Sequence, residues 1–383
     1  MNEDKNIIVG FDAKRVVRNG TGLGAYGRNL VNDLAALYPN AQLLLYAPDA
    51  GREDLARQVK SAPNLRMVYP KNAKNALKKA AWRSGGVVKD LLRDGVQVFH
   101  GLSGELPKGV KHAGIDAVVT IHDLIFMRYP KLYSFFDRKI HYRKFLYAAQ
   151  HSEHIIAISE QTKQDIISYL GISEEKITVV YQGCHRAFKK IYTETQKETI
   201  RKKYHLPEKF VLNVGAIEPR KNALEIVKAI EPLRDISLVL VGKQTAYYQQ
   251  IEAYCEAHQL KDRVQALSNV PMEDLAIIYQ LAEVFCYPSI FEGFGIPIIE
   301  ALFSKTPVIS SQGSCFAEAG GTHSVYVNLQ NAEKEIRKAI VSITTDEELR
   351  RQMVEEGYRH AQHFTDEAVF ENLMKVYKKV KSE

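Results

Sequence analysis

The chain has 383 residues, of which 45% are hydrophobic and 25% are charged. This composition is typical of a soluble globular protein, and a chain of this length is too long for one ordinary hydrophobic core, so we predict two α/β domains. The composition excludes a membrane-spanning protein, because no apolar run approaches the roughly 20 residues that a span requires. The first ten residues show no secretory signal and the four cysteines lack metal-ligand spacing, so we expect reduced thiols and a cytoplasmic location.

Positive charge is concentrated in the first half of the sequence. Residues 1–190 contain 29 Lys and Arg against 18 Asp and Glu, whereas the remainder contains 23 against 27. A basic half favours an anionic partner, such as lipid headgroups, phosphates or nucleic acid. Uneven surface charge without any partner is the alternative.

The chain begins with a predicted strand, Asn6–Phe11, followed by a long loop over residues 12–21 and a helix that opens at a glycine motif. Residues 22–27 read G-x-G-x-x-G, and Asp49 follows the next strand, which together outline a dinucleotide-binding fingerprint. That fingerprint needs its first glycine directly after the strand, but about ten residues intervene here. We therefore favour a glycine loop, formed by Gly22 and Gly24, that lies near a ligand phosphate.

Strands and helices alternate along both halves of the chain. The remaining strands predicted in the first half are Gln42–Tyr46, Leu65–Tyr69, Val96–Phe99, Ala117–Ile121, His154–Ile158 and Ile177–Tyr181. Those predicted in the second half are Phe210–Val214, Ser237–Val241, Val264–Leu267, Val284–Tyr287, Pro307–Ser311 and Val325–Asn328. This alternation predicts two parallel sheets covered by helices, with ligands at the carboxyl ends of the strands.

Charged residues replace the strand pattern around Cys184–Tyr204, which indicates a linker. We place one domain over residues 1–190 and a second over residues 191–360. A final helix over residues 361–383 completes the chain.

The most informative stretch covers residues 287–300 and follows a predicted buried strand. Gly293 and Gly295 open the backbone, and Pro297 occupies a position where a helix would begin. The free N–H groups of such a helix start, with the positive end of the helix dipole, point at whatever binds there. Glu292 and Glu300 can accept hydrogen bonds from several hydroxyls, as a sugar ligand requires; a corner with two solvated glutamates is the alternative.

A second motif, residues 215–222, follows the predicted strand Phe210–Val214 and opens another helix. It places Arg220 beside Lys221, so that a planar guanidinium and a point charge together make an anion site. An isolated Arg-Lys pair on a loop is more often a solvated surface feature. The glycine, the strand end and the downstream stretch 287–300 favour the anion site here.

Glu292 and Glu300, with seven residues between them, resemble the E-x7-E signature of the retaining glycosyltransferases of family 4. Residues 215–222 are similar to that family's G-x-x-x-x-R-K-N run, and the resemblance extends over nearly the whole chain. It implies the GT-B fold, in which two doubly wound Rossmann-like domains face each other across a cleft. The first domain would hold the acceptor and the second the nucleotide-sugar donor, and the final helix would cross back onto the first domain.

The resemblance also implies roles for individual residues. Arg220 and Lys221 would bind the donor diphosphate, Glu300 the ribose hydroxyls, and Glu292 the donor sugar near its C3 hydroxyl. Further donor contacts would come from the N–H groups of Phe294, Gly295 and Ile296, from Asn269 and Val270 beside the base, from the loop of Gly22 and Gly24, and from His122 of the first domain. Ser289 and Glu318 fit the family pattern, but Ala317-Glu318-Ala319 replaces its Pro-Glu-Val, which bears on the loop shape and not on the reaction.

The function implied is transfer of a hexose from a nucleotide-sugar to a saccharide or lipid-linked saccharide in surface polysaccharide synthesis. GDP-mannose is the first candidate donor, and Glu292, His122, Arg220 and Lys221 are the predicted catalytic residues. We expect no cofactor, no nucleic-acid partner and no metal, because the histidine pairs His151/His154 and His360/His363 lack a third ligand. A nucleotide-sugar epimerase of the same architecture and a non-catalytic sugar-binding protein are the alternatives.

Residues 71–93 predict a helix interrupted at Gly85-Gly86. A helical wheel groups Lys71, Lys74, Lys78, Trp82 and Lys89 on one face, opposite Ala73, Leu77, Ala80, Val87, Val88 and Leu91, which would pack on the sheet. A basic face with the chain's single tryptophan suits the inner, anionic surface of a membrane that carries a lipid-linked acceptor. An ordinary solvated face is the alternative.

Overall fold

The structure is a computed structural model that describes residues 7–382, and these form two compact units. Of the described residues, unit 1 contains 7–182 together with the last helix from Asp366, and unit 2 contains Gly183–Thr365. The divisions fall at 182 and 365, against predicted boundaries at 190 and 360. Residues 183–190 belong to unit 2 because Phe188 is fully buried there against the Tyr279 ring, with centroids 5.4 Å apart.

Unit 1 is built on seven parallel strands in the order β3-β2-β1-β4-β5-β6-β7. They are β1 (Ile8–Asp12), β2 (Gln42–Tyr46), β3 (Leu65–Val68), β4 (Val98–Gly101), β5 (Asp116–Ile121), β6 (His154–Ala157) and β7 (Ile177–Val179). The strands are continuous apolar runs because helices cover both faces of a parallel sheet. The predicted first strand started at Asn6, which lies outside the described residues.

Nine helices of unit 1 are described along with this sheet. They are α1 (Lys14–Arg18), α2 (Gly22–Leu37), α3 (Glu53–Ala56), α4 (Ala76–Ala81), α5 (Val87–Arg93), α6 (Ile125–Arg128), α7 (Phe135–His151), α8 (Glu160–Leu170) and, from the end of the chain, α17 (Asp366–Ser382). The last helix, α17, buries one side, including Phe370, Leu373 and Tyr377, in the same core as β1 and α2. Its Tyr377 hydroxyl lies 2.7 Å from Nδ1 of the buried His100 on β4, so α17 is an integral part of unit 1.

Unit 2 is built on six parallel strands in the order β10-β9-β8-β11-β12-β13. They are β8 (Phe210–Val214), β9 (Ser237–Val241), β10 (Val264–Leu267), β11 (Val284–Tyr287), β12 (Val308–Ser311) and β13 (Val325–Val327). Its helices are α9 (Glu194–Tyr204), α10 (Ala223–Ile230), α11 (Tyr248–Ala257), α12 (Met272–Leu281), α13 (Ile296–Phe303), α14 (Phe316–Gly320), α15 (Ala332–Thr345) and α16 (Glu347–Ala361). Across residues 7–382, no helix is both long enough and apolar enough to cross a bilayer.

The strand order reverses once in each sheet. In unit 1, β2 and β3 extend from one side of β1, and β4 pairs with its other side. In unit 2, β9 and β10 extend from one side of β8, and β11 pairs with its other side. Open α/β sheets bind ligands in the crevice at the carboxyl ends of the strands where the order reverses. The loops after β1 and β4, and those after β8 and β11, are therefore the places where a site is expected.

The predicted interruption at Gly85-Gly86 is confirmed, but the predicted start and the two faces of the helix over residues 71–93 are wrong. The helix begins only at Ala76, where the Asn75 side chain caps it, so Lys71 and Lys74 precede the helix. A π-helical turn at Trp82–Gly86 then turns Trp82 inward, and its Nε1 donates to Asp90 at 2.6 Å. Leu77, expected on the sheet, is 82% exposed. A wheel of 100° per residue fails here because a π turn contains more residues than an α turn.

The predicted loop over residues 12–21 is also partly wrong, because it contains the short helix α1. Val16 and Val17 of α1 are buried in the core of unit 1. This burial stabilises a helix that its length of five residues would not stabilise alone.

Candidate active site

Two loops of unit 2 meet where the strand order reverses. The loop after β8 contains the turn Pro219–Lys221, and the loop after β11 leads to α13. The Ile290 N–H donates to the Arg220 carbonyl at 2.9 Å, and the Arg220 guanidinium donates to the Phe291 carbonyl at 2.5 Å. Pairing of β8 with β11 thus brings together two predicted motifs that lie about 70 residues apart in sequence.

Glu292 is the centre of this cluster. Its Oε1 lies 2.7 Å from the Arg220 guanidinium and 2.5 Å from the Lys221 ammonium, and it accepts a hydrogen bond of 2.5 Å from the Ser289 hydroxyl. Burial acts to raise the pKa of Glu292, but the charges of Lys221 and Arg220 outweigh it and lower the pKa. Glu292 is therefore ionised at neutral pH.

The two cations differ in their surroundings. Arg220 also pairs with the more exposed Glu218 at 2.8 Å, and these two carboxylates raise its pKa against the effect of burial. Lys221 is almost fully buried, and its ammonium also donates to the Tyr287 hydroxyl at 2.5 Å. Burial lowers the pKa of Lys221, and the carboxylate of Glu292 partly offsets this. The cluster holds two fixed cations whose charges are balanced by carboxylates.

Glu300 on α13 lies in an environment of the opposite kind. It is buried, and its Oε2 accepts a 3.0 Å hydrogen bond from the neutral Tyr279 hydroxyl of α12. Burial raises the pKa of Glu300 from 4.5 to about 7, although the Tyr279 hydrogen bond acts to lower it. This carboxyl changes its charge near neutral pH, whereas Glu292 does not.

The start of α13 depends on Gly295. Its φ of +132° is a conformation that side chains rarely adopt, and an added Cβ would lie 3.3 Å from the Ala319 side chain. Phe294 is buried, with its ring 5.5 Å from that of Phe364. Gly295 and Ile296 therefore form the N-terminus of α13, the end of a helix whose first N–H groups have no partner within the helix, and Phe294 directly precedes them.

Asn269 and Val270 also lie at the carboxyl ends of the strands of unit 2, but at β10, the outermost strand of the sheet. They follow β10, and Asn269 is exposed with a φ of +56°. Ser289 belongs to the central cluster, whereas the Glu318 carbonyl lies 2.9 Å from Nε2 of His360. The substituted run Ala317-Glu318-Ala319 forms part of the short helix α14.

The predicted residues of unit 1 form a group of their own. His122 follows β5 and is buried, with Nε2 2.9 Å from the Leu102 carbonyl and Nδ1 3.1 Å from the Gln182 amide. Burial lowers the pKa of His122 to about 4, so the ring is neutral, and the carbonyl partner favours a proton on Nε2. Tyr26 of α2 contacts this ring edge-on at 4.7 Å, which connects His122 to the glycine helix.

Gly22 and Gly24 open α2 as predicted, but they have different physical roles. A Cβ on Gly24 would lie 1.8 Å from the Asn19 carbonyl oxygen, whereas a Cβ on Gly22 would meet nothing within 4 Å. Arg28 of the same helix is buried and donates to the Val16 and Asn19 carbonyls, each at 2.9 Å. Gly24 is therefore required for the close contact of α2 with the preceding turn.

A cavity of about 560 Å³ lies in unit 1, at the carboxyl ends of β1 and β4. Trp82 and Phe99 form part of its apolar wall. Its charged wall contains five cations and three carboxylates: Lys14, Arg18, Lys79, Arg83, Lys144, Asp12, Asp49 and Glu105. This cavity coincides with the reversal of strand order in unit 1, and its charged set was not predicted from the sequence.

Arg83 organises the charges of this cavity. Its guanidinium pairs with Asp12 at the end of β1 and with Glu105 at 2.5 Å. Burial acts to lower the pKa of Arg83, but the two carboxylates outweigh it and raise the pKa. A polar Asp12 at the end of a buried strand was the one local signal, since Arg83 lies 71 positions away.

Three of the four histidines considered as metal ligands lie within hydrogen-bond distance of other groups. His151 lies 2.9 Å from the Tyr147 carbonyl and His154 lies 2.7 Å from the Thr178 hydroxyl. His360 contacts the Glu318 carbonyl, and its ring lies 5.7 Å from that of His363. Among residues 7–382 no group of three or more His, Cys, Asp or Glu is arranged to hold a metal ion.

Two family models match successive parts of the chain. The model described as "Glycosyltransferase Family 4" matches residues 20–187, and that described as "Glycosyl transferases group 1" matches residues 196–360. The O-antigen chain mannosyltransferase RfbU of Salmonella typhimurium is 33% identical over 230 residues, which are 60% of this chain and 61% of that protein. The O-antigen chain mannosyltransferase B of Escherichia coli is 25% identical over 288 residues, which are 73% of this chain and 74% of that protein. The match to RfbU thus spans less than two thirds of its length.

A solved structure of Anabaena HepE, in complex with UDP and glucose, has a similar fold. It superposes with a TM-score of 0.75 over 98% of this chain and 99% of that chain, at 16% identity. The predicted fold class, GT-B with two Rossmann-like domains, is confirmed by this likeness and by the two doubly wound sheets.

Proposed function

Because this chain belongs to glycosyltransferase family 4, we propose that it is a retaining hexosyltransferase of polysaccharide synthesis. The donor is a nucleotide-sugar, with GDP-mannose the first candidate, and the acceptor is a saccharide or a lipid-linked saccharide. The names of two relatives, both O-antigen chain mannosyltransferases, support the choice of mannose.

The observation that carries this proposal is the cluster of Arg220, Lys221 and Glu292 between β8 and β11. A diphosphate gains negative charge as the bond to the sugar breaks, and fixed cations at that point lower the barrier. Arg220 supplies a planar fork and Lys221 a buried point charge, and the N-terminus of α13 adds the positive end of a helix dipole. Leaving-group stabilisation of this kind needs neither a metal nor a further cofactor.

The surroundings of Glu292 also support the proposed stereochemistry. A carboxylate held by two cations, with a lowered pKa, is a weak nucleophile. This supports departure of the diphosphate and attack of the acceptor on the same face of the sugar, without a covalent intermediate. Glu292 then orients the sugar through its hydroxyls, and Glu300 holds the ribose.

We assign the acceptor to the cavity of unit 1. Carboxylates such as Asp12 and Glu105 accept hydrogen bonds from sugar hydroxyls, and the partly buried ring of Trp82 offers an apolar face to a sugar ring. Its volume of about 560 Å³ lies within the usual range for small-ligand pockets. His122, which is neutral and donates through Nε2, remains a proposed contact to the donor sugar.

The experiment is a transfer assay with GDP-mannose or a UDP-hexose and a fluorescent mannose-terminated oligosaccharide. Release of nucleoside diphosphate should require the acceptor, and NMR of the product should show the anomeric configuration of the donor. An epimerase would change the sugar without an acceptor, and a binding protein would release no diphosphate. An inverted product would overturn the retaining mechanism, and loss of activity in EDTA would overturn the metal-free one.

A further inference from the structure

A cluster of apolar side chains is exposed around the start of α7. Phe136 is 77% exposed, Phe135 is 60% exposed, and Leu132 and Ile140 are each more than half exposed. Five of the fourteen large hydrophobic side chains exposed among the described residues fall between positions 132 and 140. Scattered exposed apolar residues are ordinary, but a contiguous patch marks a surface that contacts something. We call Leu132, Phe135, Phe136 and Ile140 the α7 patch.

The patch is ordered by the helix that carries it. Ser134 caps α7, since its hydroxyl accepts the Asp137 N–H at 3.1 Å. The rings of Phe135 and Phe136 contact each other edge-on, with centroids 5.9 Å apart. Phe136, Lys139, Ile140 and Arg143 are spaced i, i+3, i+4 and i+7, and all four are exposed on one face of the helix.

The opposite face of α7 is already packed in unit 1. Ala148 and Ala149 are fully buried, and Phe145 and Leu146 pack on the core around β5 and β6. The ring of Phe145 lies 5.4 Å from that of Phe126. The helix therefore has apolar side chains on two faces, of which the fold covers only one. An apolar second face calls for another occupant.

The charges around the patch favour an anionic occupant. Residues 131–144 contain five cations and one carboxylate, Asp137. Lys131, Lys139 and Arg143 are exposed, and the Lys139 ammonium lies 5.0 Å from the centre of the Phe135 ring, whereas Lys144 pairs with Glu105 at 3.2 Å. Long basic side chains beside aromatic rings match the interfacial layer of a membrane, where rings enter the headgroups and cations meet lipid phosphates.

We propose that the α7 patch is a docking surface for an anionic membrane. Unit 1 binds the lipid layer through Leu132, Phe135, Phe136 and Ile140, while Lys131, Lys139 and Arg143 contact acidic headgroups. The purpose of this binding, to hold the enzyme at the layer that contains a lipid-linked acceptor, rests on the proposed function. Membrane binding through this surface is therefore a property separate from transfer.

The surface differs from the one predicted at residues 71–89. There Trp82 is turned inward toward Asp90, and Lys79 pairs with Asp49 at 2.7 Å. Leu77 is the single large apolar side chain exposed among residues 71–89, whereas the α7 patch combines four with its cations. Lysines with so little apolar surface give a weak, salt-sensitive attachment, whereas a patch that combines both holds the protein at the interface. The residue 71–89 lysines therefore serve as the control set.

The experiment is co-sedimentation with vesicles of phosphatidylcholine alone and of phosphatidylcholine with phosphatidylglycerol, at low and high salt. The wild-type chain should sediment with the anionic vesicles and less at high salt. The triple variant Phe135→Ser, Phe136→Ser, Ile140→Ser should lose this binding, and its matched control is Leu77→Ser with Leu92→Ser, two exposed leucines of unit 1. A second variant should bind anionic vesicles about fivefold more weakly for each cation removed: Lys131→Gln, Lys139→Gln, Arg143→Gln. Its control should bind these vesicles as the wild type does: Lys71→Gln, Lys74→Gln, Lys78→Gln, Lys89→Gln.

Three results would overturn the proposal: no sedimentation of the wild type, undiminished binding by the triple variant, or a loss confined to the control lysines. Binding of GDP and UDP, measured by calorimetry, separates this outcome from the proposed function. The triple variant should keep the wild-type affinity for the nucleotide, which also shows that it folds. A wild type that binds vesicles but neither nucleotide would leave the membrane surface in place and count against the transferase.

Discussion

The variant Glu300→Gln tests whether the buried carboxyl of α13 holds a nucleotide ribose. The pKa of Glu300 is raised by burial from 4.5 to about 7, and its partner is the neutral Tyr279 hydroxyl. Ribose hydroxyls donate hydrogen bonds, so they bind the carboxylate better than the protonated carboxyl. A nucleoside must therefore displace the proton of Glu300 whenever the pH is below about 7.

The rise in the pKa of Glu300 from 4.5 to about 7 corresponds to an extra free-energy cost of roughly 3 kcal/mol for ionising this carboxyl in its buried site. Below the pKa, nucleoside affinity should fall toward tenfold per pH unit, and above it the affinity should level off. The same group affects folding in the opposite direction. Because the folded state binds this proton more tightly than the unfolded state, its contribution to stability is lost as pH rises from 4.5 to about 7.

The assay is equilibrium binding of guanosine and uridine from about pH 5.5 to about 8.5. Nucleosides are chosen because the terminal phosphate of a diphosphate itself titrates near pH 6. The neighbouring groups stay constant in this window, since the pKa of Tyr279 is raised well above 10 and that of Glu292 is lowered. In Glu300→Gln the affinity above pH 7 should fall roughly ten- to hundredfold and become independent of pH. A wild-type affinity that is flat with pH, or that rises as pH falls, would refute the reasoning.

Three further predictions concern the remaining site residues. Arg220→Ala and Lys221→Ala should each weaken GDP or UDP binding by about ten- to hundredfold in calorimetry while nucleoside binding is unchanged, because only the diphosphate meets these cations; equal losses for both ligands would count against the role. Glu292→Gln should lower kcat more than tenfold without weakening diphosphate binding, since it removes a transition-state contact and leaves both cations in place; an unchanged kcat would contradict it. Gly24→Ala should lower the free energy of unfolding by about 1–3 kcal/mol in urea denaturation, because its Cβ would collide with the Asn19 carbonyl. Gly22→Ala, whose Cβ would meet nothing within 4 Å, should raise it by about 0.5–1 kcal/mol. Equal effects of the two variants would show that close contact is not the reason for the glycine at position 24.

The sheets could be predicted from the sequence because buried parallel strands are continuous apolar runs. Predicted strands such as Phe210–Val214 and Val284–Tyr287 have the observed bounds. The anion motif and the glutamate loop were also readable, since each lies within one strand–loop–helix segment. The two motifs meet at Glu292 because β8 pairs with β11. The alternation of strands and helices in the sequence does not determine which strands pair.

Other features depend on contacts that no local pattern records. Arg83 organises the charges in the cavity of unit 1 by pairing with Asp12, which lies 71 positions away in the sequence. Arg83 belongs to a π-helical turn, so a helical wheel of 100° per residue does not predict where its side chain lies. The patch on α7 was missed because its apolar residues occur on both faces of the helix, so the sequence shows no single amphipathic stripe. The inward face and the exposed face become distinguishable only when the core around Phe145 is known.

Glu292 and Glu300 show why charge could not be assigned from the motif. Both are buried acids at one loop and helix, but Glu292 has two cations within 2.7 Å and Glu300 has a tyrosine hydroxyl at 3.0 Å. Environments that move two pKa values apart give two carboxylates different tasks. Glu292, whose pKa is lowered by Lys221 and Arg220, keeps its charge near neutral pH and so remains a hydrogen-bond acceptor there. If Glu300 holds the ribose as proposed, the affinity for the nucleoside, rather than the chemical step, is the quantity that we expect to respond to pH.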